Sequence, residues 1–318
     1  MDHAAASTSP VLRRSRKLPL PARVNRSRIV TRYAVTVGLY HMAALLALLP
    51  WLFSWTGVVL AVLGLYVFGS LGINLYYHRL LTHRGLVVPR WVECILGVIG
   101  VCCMQDTPAR WVAVHRRHHE HADQPSDPHS PLVNFFWGHV GWTLVENGDL
   151  SRLGIYERYA KDIVRDPFQK WLERSYGWIV LAHWVAFFAV GAATSLVGGG
   201  TTMQALQFGA SLLIWGVFVR TVLVWHITWS VNSLSHLWGY RNYETDEDSR
   251  NNVFVALISN GEGWHNNHHA DPRSARHGHR WFELDIVYLT IRVMAALGLA
   301  RSVVMPKRAP VAQHYTSG

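Results

Sequence analysis

Two long stretches of the chain, residues 33–77 and 175–219, contain no Asp, Glu, Lys or Arg. Each is about twice as long as the run of apolar residues that one membrane-spanning helix needs. Turn-forming residues interrupt each stretch near its middle, at Pro50-Trp51 and at Gly198–Gly200. We therefore predict an all-α integral membrane protein whose four transmembrane helices form two hairpins, at about residues 33–53, 56–77, 177–197 and 205–230.

The segments outside these hairpins predict a helical cap on one side of the membrane. Residues 89–105 are apolar but too short to span, and they contain Glu93, which favours an interfacial or re-entrant helix. Residues 156–175 predict a charged amphipathic helix at the membrane surface, and residues 284–300 a helix lying along it. Residues 122–131 are rich in Pro and Asp and predict a loop.

The formal net charge of +10 is unevenly distributed along the chain. The turns of the two hairpins carry no Lys or Arg, whereas a basic arm, predicted to be mobile over residues 1–32, precedes the first hairpin. By the positive-inside rule both termini and the cap face the cytoplasm, and a bacterial inner membrane is the expected location. The arm favours contact with anionic lipid headgroups over nucleic acid, and an organellar transit peptide stays open as an alternative. The basic residues of the arm are Arg13, Arg14, Arg16, Lys17, Arg23, Arg26, Arg28 and Arg32.

Four short motifs concentrate histidines just beyond the predicted spanning helices. Two of them share the spacing H-x-x-H-H, which on a helix places all three imidazoles on one face, because residues three and four apart are neighbours. Convergence of four such segments indicates a shared metal site. The motifs are His78-Arg-Leu-Leu-Thr-His83, His115-Arg-Arg-His118-His119, Asn232-Ser-Leu-Ser-His236 and His265-Asn-Asn-His268-His269.

The nine histidines of these motifs suggest two metal ions, because a first-row ion takes four to six ligands. Imidazole suits iron, zinc, copper and nickel alike, so the ligands leave the metal open. The three cysteines have no C-x-x-C spacing and indicate neither a disulfide framework nor a thiolate site. A redox pair of ions beside a slot between spanning helices suggests O₂ chemistry on an unreactive C–H bond.

The chain resembles the membrane-bound fatty acyl desaturases of the stearoyl-CoA and bacterial Δ9 type, over about residues 35–300. On this resemblance residues 33–304 form a membrane desaturase domain and residues 305–318 a C-terminal tail. Besides the histidine motifs, the similar segments are Gly261-Glu-Gly-Trp before His265, Asp127-Pro-His-Ser, Phe135-Phe-Trp-Gly-His-Val-Gly-Trp142 and Trp281-Phe-Glu-Leu-Asp285.

The resemblance implies a di-iron centre held by the nine histidines. One iron is expected to bind His78, His119, His236, His265 and His269. The other is expected to bind His83, His115, His118 and His268, with Asn232 reaching it through a water molecule. The resemblance also implies a kinked acyl tunnel, with Gln105, Trp111 and Thr228 at the kink and with Tyr66 and Ser70 at the far end, where Tyr66 would limit chain length.

The activity implied by the resemblance is O₂-dependent insertion of a cis double bond, expected at Δ9, into a saturated acyl chain, with electrons from a separate ferredoxin or cytochrome b5 and its reductase. A di-iron hydroxylase or alkane monooxygenase is the alternative, and a metal-ion transporter is a remote one. The carrier, a membrane lipid or CoA, stays open, because Ala113 and Val114 replace the Arg-Asp pair of animal acyl-CoA enzymes.

The resemblance leaves two further groups of residues open. Arginines flanking the clusters have three possible roles: docking an acidic electron carrier, counter-charge for the site, or solvated surface. These are Arg79, Arg84, Arg116, Arg117, Arg273 and Arg276. The histidines outside the motifs, His121, His129, His139, His183 and His226, are expected to be structural, and support of the metal ligands is the best functional reading for His129 and His139.

Overall fold

A computed structural model describes residues 17–307, apart from the Arg152 side chain. Residues 1–16 of the predicted arm and residues 308–318 of the predicted tail lie outside the described residues. The described chain is mostly helical, as predicted. Its helices are α1 (Thr31–Leu45), α2 (Trp55–Thr82), α3 (Arg90–Val101), α4 (Pro108–His121), α5 (Trp137–Gly141, continued by Trp142–Leu144), α6 (Arg152–Tyr159), α7 (Lys161–Arg165), α8 (Pro167–Val197), α9 (Thr202–Leu237), α10 (Val253–Ile258), α11 (His265–Ala270) and α12 (Ile286–Ala296).

Among the described residues, three helices are long and apolar enough to cross a membrane: α2, α8 and α9. The first predicted span, residues 33–53, is instead the 15-residue helix α1, followed by two 3₁₀ turns at Leu46–Leu48 and Pro50–Leu52. Pro50 has no N–H to continue a helical hydrogen-bond ladder, which explains the break. The predicted count of four spanning helices is therefore not confirmed.

The second hairpin begins earlier in the chain than predicted. The helix expected at residues 156–175 is wrong as a single element, because the chain breaks at Ala160 and again at Asp166. The Asp166 side chain accepts hydrogen bonds from the N–H groups of Phe168 and Gln169, and Pro167 occupies the first helical position. This is a strong helix start, so α8 begins at residue 167 rather than at 177.

Residues 17–32 of the predicted arm contain a β-strand that the sequence analysis did not expect, and mobility of the arm stays a prediction. Strand β1 (Val24–Ile29) pairs antiparallel with β2 (Val145–Asn147), with Val24 opposite Asn147. Further upstream, the N–H of Leu18 donates to the Leu132 carbonyl at 3.0 Å. The arm thereby packs on the segments that precede and follow α5.

The remaining short helices form the cap around the ends of α2 and α9. Helix α3 lies within predicted residues 89–105 and packs against α2 and α8. The guanidinium of Arg220, on α9, is fully buried and donates to the Cys102 carbonyl at the end of α3. It also lies 3.8 Å from the centre of the Phe68 ring. These contacts satisfy a charge inside an apolar helix and tie α3 to α9.

Candidate metal centre

Helix α2 delivers His78 and His83 from a stretch with π-helical winding, Leu65–Thr82. In a π-helix the N–H of each residue bonds to the carbonyl five residues earlier, and the His83 N–H bonds to the His78 carbonyl at 3.1 Å. Residues five apart are therefore neighbours on successive turns, and the ring centres of His78 and His83 are 4.8 Å apart. The spacing H-x-x-x-x-H thus places two histidines side by side on a π-helix. The spacing H-x-x-H-H does the same for the histidines of the α-helices α4 and α11.

The structure brings all nine predicted histidines together in two groups. Within each group, one ring nitrogen of every histidine lies within 4.8 Å of the others. We call them the five-histidine group (His78, His83, His115, His119 and His268) and the four-histidine group (His118, His236, His265 and His269).

This grouping by nitrogen distance differs from the expected sharing of ligands between two irons, which stays a prediction. His119 was expected with His236, but its Nε2 lies 3.1 Å from that of His115 and 2.9 Å from that of His268. His115 and His119 are four residues apart and lie on one side of α4 with their rings at 75°, whereas His118 faces the other group. The same rule keeps His265 and His269 together on α11, with Nε2 atoms 3.1 Å apart.

The donor set fits two metal ions. The buried Nε2 atoms of His83 and His118 have no hydrogen-bond partner, which is unusual for buried polar atoms. Burial, and then the proximity of the other imidazoles, lowers the pKa of six ligands well below the usual value, so they are neutral, as metal binding requires. These six are His83, His115, His119, His265, His268 and His269.

Three carboxylates orient histidines of the two groups by accepting hydrogen bonds from their Nδ1 atoms. The sequence analysis did not single these carboxylates out. Nδ1 of His78 lies 2.6 Å from Glu262, that of His236 2.8 Å from Asp123, and that of His118 3.0 Å from Asp127. Each bond fixes the imidazole tautomer with Nε2 free toward the metal. Asp127 and Glu262 do lie in the family-like segments, but nothing in the sequence indicates which histidine each would meet.

Burial opposes ionisation of these carboxyl groups, but the facing charges outweigh it. The proximity and hydrogen bond of His118 lower the pKa of Asp127 below its usual value, and Arg79 and His78 do the same for Glu262. Arg79 is itself buried and donates to Glu262 at 2.7 Å and to Asp285 at 3.0 Å. Of its three predicted roles, the structure therefore assigns Arg79 that of counter-charge.

The histidines outside the motifs divide into two kinds. His129 is buried, and its ring centre lies 4.3 Å from that of His118, so it packs directly behind a ligand. His277, which the sequence analysis missed, packs on His268 at 4.5 Å. His139 instead bonds Ser233 and His226, away from both groups. His183 contacts Arg220, and His121 lies near Glu120.

A cavity of about 490 Å³ leads to the two groups. Its lining includes His78, His115 and His265 together with residues of α1 and β2. Of the predicted tunnel residues, Gln105, Trp111 and Thr228 line it. The Gln105 amide donates to the Thr228 hydroxyl at 2.9 Å, and the Trp111 indole donates to Gln105 at 3.3 Å. Asn232 also lines the cavity.

The other two predicted tunnel residues bond elsewhere. The Tyr66 hydroxyl lies 2.6 Å from that of Thr290 on α12. The Ser70 hydroxyl accepts from the Asn260 amide at 2.7 Å. Neither side chain lines the cavity described above.

Residues 51–301 match the fatty acid desaturase family. The chain belongs to this family. It is 38% identical to the sn-2 palmitoyl-lipid 9-desaturase of a Nostoc species, over 89% of this chain and 93% of the relative. It is 39% identical to the sn-1 stearoyl-lipid 9-desaturase of a Synechocystis species, over 86% and 79%. The icosanoyl-CoA 5-desaturase of Limnanthes douglasii is 37% identical, over 87% and 72%. The protein is thus an enzyme, a fatty acyl desaturase.

Proposed function

We propose that the enzyme inserts a cis double bond at Δ9 of a saturated acyl chain that is esterified in a membrane glycerolipid. The reaction consumes one O₂, two electrons and two protons, and it releases two waters. The observation that supports this proposal best is the cavity that ends on His78, His115 and His265. When bound at the two histidine groups, a pair of iron ions supplies the redox chemistry that removes two hydrogens from adjacent methylenes.

The chain's own residues position the substrate. Gln105, hydrogen-bonded to both Trp111 and Thr228, forms a polar link across the wall of the cavity beside His115. The Trp111 ring stacks on His115, with ring centres 4.9 Å apart and an interplanar angle of 30°. An acyl chain held against these side chains presents one methylene pair to the metal ligands, and this placement determines the position of the double bond.

The acyl carrier is proposed to be a lipid on two grounds. Two of the relatives described above are named for lipid-linked acyl chains. Ala113 and Val114, at the positions of the Arg-Asp pair of animal acyl-CoA enzymes, are buried and apolar here and offer nothing to a CoA headgroup. A CoA thioester is the second candidate, because the Limnanthes relative is named for one.

The membrane arrangement that goes with this function has both termini and the cap in the cytoplasm, with α1 as a fourth membrane-embedded helix. Most of the large side chains of α1 are exposed, including Val35, Leu39, Met42 and Leu45, which suits contact with lipid. Electrons come from a separate ferredoxin or cytochrome b5 type protein. Arg273 is exposed beside the cap and is a candidate docking residue.

Expression in a bacterial host that lacks unsaturated acyl chains tests this proposal. Mass spectrometry of intact lipids and CoA thioesters, at short times after O₂ is admitted, should find the alkene first in glycerolipids. Appearance of the alkene first in the CoA pool would support the second carrier. An acyl chain heavier by one oxygen would identify a hydroxylase and contradict desaturation. A His119→Ala variant expressed at the same level gives the background.

A further inference from the structure

Three histidines outside the metal centre form a continuous chain of close contacts between three helices. Nε2 of His41, on α1, lies 3.1 Å from Nε2 of His226, on α9. Nδ1 of His226 lies 3.0 Å from Nε2 of His139, on α5. Nδ1 of His139 lies 3.0 Å from the Ser233 hydroxyl. At the other end, Nδ1 of His41 lies 2.7 Å from the Val37 carbonyl.

Both ends of this chain accept hydrogen bonds. The Val37 carbonyl has no hydrogen to give, so Nδ1 of His41 must carry one. When the Ser233 hydroxyl donates its single hydrogen to the Trp229 carbonyl at 2.8 Å, its oxygen accepts from Nδ1 of His139. Nε2 of His139 is then an acceptor, and Nδ1 of His226 supplies the hydrogen between them.

Counting hydrogens leaves one contact without a donor. Three neutral imidazoles carry three ring hydrogens, and the contacts to Val37, His139 and Ser233 use all of them. The two Nε2 atoms of His41 and His226 then face each other at 3.1 Å with their lone pairs. Two lone pairs at this distance repel unless a cation lies between them.

The same separation recurs between ligand nitrogens in the metal centre. There the Nε2 atoms of His119 and His268 are 2.9 Å apart, and those of His265 and His236 are 3.1 Å apart. Burial, and then the proximity of His226, lowers the pKa of His139 to about 4, so that ring does not hold an additional proton at neutral pH. A metal ion shared by two imidazoles takes a lone pair from each Nε2 atom and gives a nitrogen separation of this size.

We propose that His41 and His226 bind a divalent first-row metal ion with an affinity for imidazole, such as Zn²⁺, at a site separate from the nine-histidine centre. His41 and His226 supply two ligands of a tetrahedral ion, and the exposed side of His226 leaves the other positions open. His139 acts from behind His226 and sets its tautomer, as carboxylates do in the metal centre.

The site has a structural consequence for the cavity. Tyr33, Thr36 and Val37, on the same helix as His41, line the cavity, and residues 225 and 227–229 of α9 line it opposite. An ion shared by His41 and His226 therefore fastens one wall of the cavity to the helix that carries His236.

Zinc titration of the full-length, iron-loaded enzyme in detergent tests the proposal, because the loaded iron keeps the nine-histidine centre filled. Calorimetry with ZnCl₂ should detect one Zn²⁺ per chain beyond the iron. His41→Gln and His226→Gln should each weaken this binding at least tenfold. The control is His121→Gln, which removes another partly exposed histidine and should leave the binding unchanged.

A second measurement does not depend on whether the variants fold. With Cu²⁺ as the probe, the electron paramagnetic resonance spectrum of the wild-type enzyme should show hyperfine splitting from two imidazole nitrogens. No zinc beyond the iron centre, equal binding by all three variants, or a copper spectrum without two nitrogens would overturn the proposal. The first of these results would mean that Ser233 turns its hydrogen to His139 and closes the chain without an ion.

Discussion

His78 and Glu262, 184 residues apart in sequence, are joined by a hydrogen bond of 2.6 Å between Nδ1 and Oε2. The other carboxylate oxygen of Glu262 accepts from Arg79 at 2.7 Å, so one buried carboxylate serves a metal ligand and a counter-charge. Glu262→Gln keeps the shape but removes the charge that holds His78. We predict that metal affinity falls about 10- to 100-fold while the protein still folds.

The measurement is iron retention against increasing chelator, on protein purified in parallel with wild type. Asp162→Asn is the matched control, because Asp162 accepts from Arg84 and Arg116 rather than from a histidine. Retention that matches the wild type in Glu262→Gln would show that the carboxylate does not support the site.

Arg79 carries a buried positive charge between two carboxylates, Glu262 and Asp285. Arg79→Met leaves both acids without their partner in a dry environment, and we expect a loss of about 3–5 kcal/mol in the free energy of unfolding. Arg84→Met breaks the exposed pair with Asp162 and should cost at most about 1 kcal/mol. Thermal unfolding of both variants in detergent measures the difference. Equal effects would mean that the buried network is solvated.

Acidification should destabilise the metal-free enzyme. The six ligands with lowered pKa values, among them His115 and His268, take up protons in the unfolded chain at about pH 6.5 but resist them when folded. Their contribution to stability is therefore complete above about pH 6.5 and is lost as the pH falls toward the folded pKa values. Each such group contributes at most about 1.4 kcal/mol per pH unit.

The unfolding midpoint of apoenzyme, followed from about pH 8 to pH 5, tests this dependence. Below about pH 6.5 it should fall, with a slope of several protons. His268→Gln should reduce that slope. A midpoint that rises as the pH falls below about 6.5 would contradict the neutral state of these six histidines.

Tyr66 lies on α2, and its hydroxyl forms a hydrogen bond with the hydroxyl of Thr290. If it closes the far end of the acyl tunnel, Tyr66→Ala should shift the product profile toward longer chains, because the removed ring leaves space. Tyr66→Phe, which keeps the ring and loses only the bond to Thr290, should retain the wild-type profile. Gas chromatography of the acyl products decides, and an unchanged profile in the alanine variant would refute the role.

Thr228 accepts the hydrogen bond that fixes the Gln105 side chain in the cavity wall. Thr228→Val keeps the volume and removes the bond. We expect kcat/KM to fall about 3- to 10-fold, the range of one hydrogen bond, and the double-bond position to become less uniform. Thr36→Val, on the opposite wall of the cavity, is the control. Uniform products from Thr228→Val would show that Gln105 is held by other contacts.

The sequence motifs predicted that the nine histidines lie close together. They did not predict which histidines form each of the two groups. His118 and His119 are neighbours in the chain, and which of them faces His268 depends on the rotation of α4 about its axis. That rotation is set by packing against α2 and α6. The spacing of His78 and His83 can be read from the sequence, but the π-helical winding that brings their rings together was not predicted.

The boundaries of the helices show the same limit. The charge-free stretch beginning at residue 175 predicted a long apolar helix in this part of the chain. The start of α8 was not predicted, because it depends on Asp166 and Pro167, which precede the apolar residues. Strand β1 was missed because its residues are mostly polar and exposed, and its partner lies far along the chain. Pairing of this kind leaves no periodicity to detect.

Helices α2 and α9 are each continuous from an apolar segment to a histidine of the candidate metal centre. Each is long and apolar enough to cross a membrane, and the C-terminal ends carry His78 and His236. Spanning helices tilt when the hydrocarbon layer becomes thinner than their apolar length. Because each helix is continuous, a tilt would move the histidine nitrogens at its end. We therefore expect the thickness of the surrounding bilayer, which unsaturated acyl products alter, to change the geometry of the site.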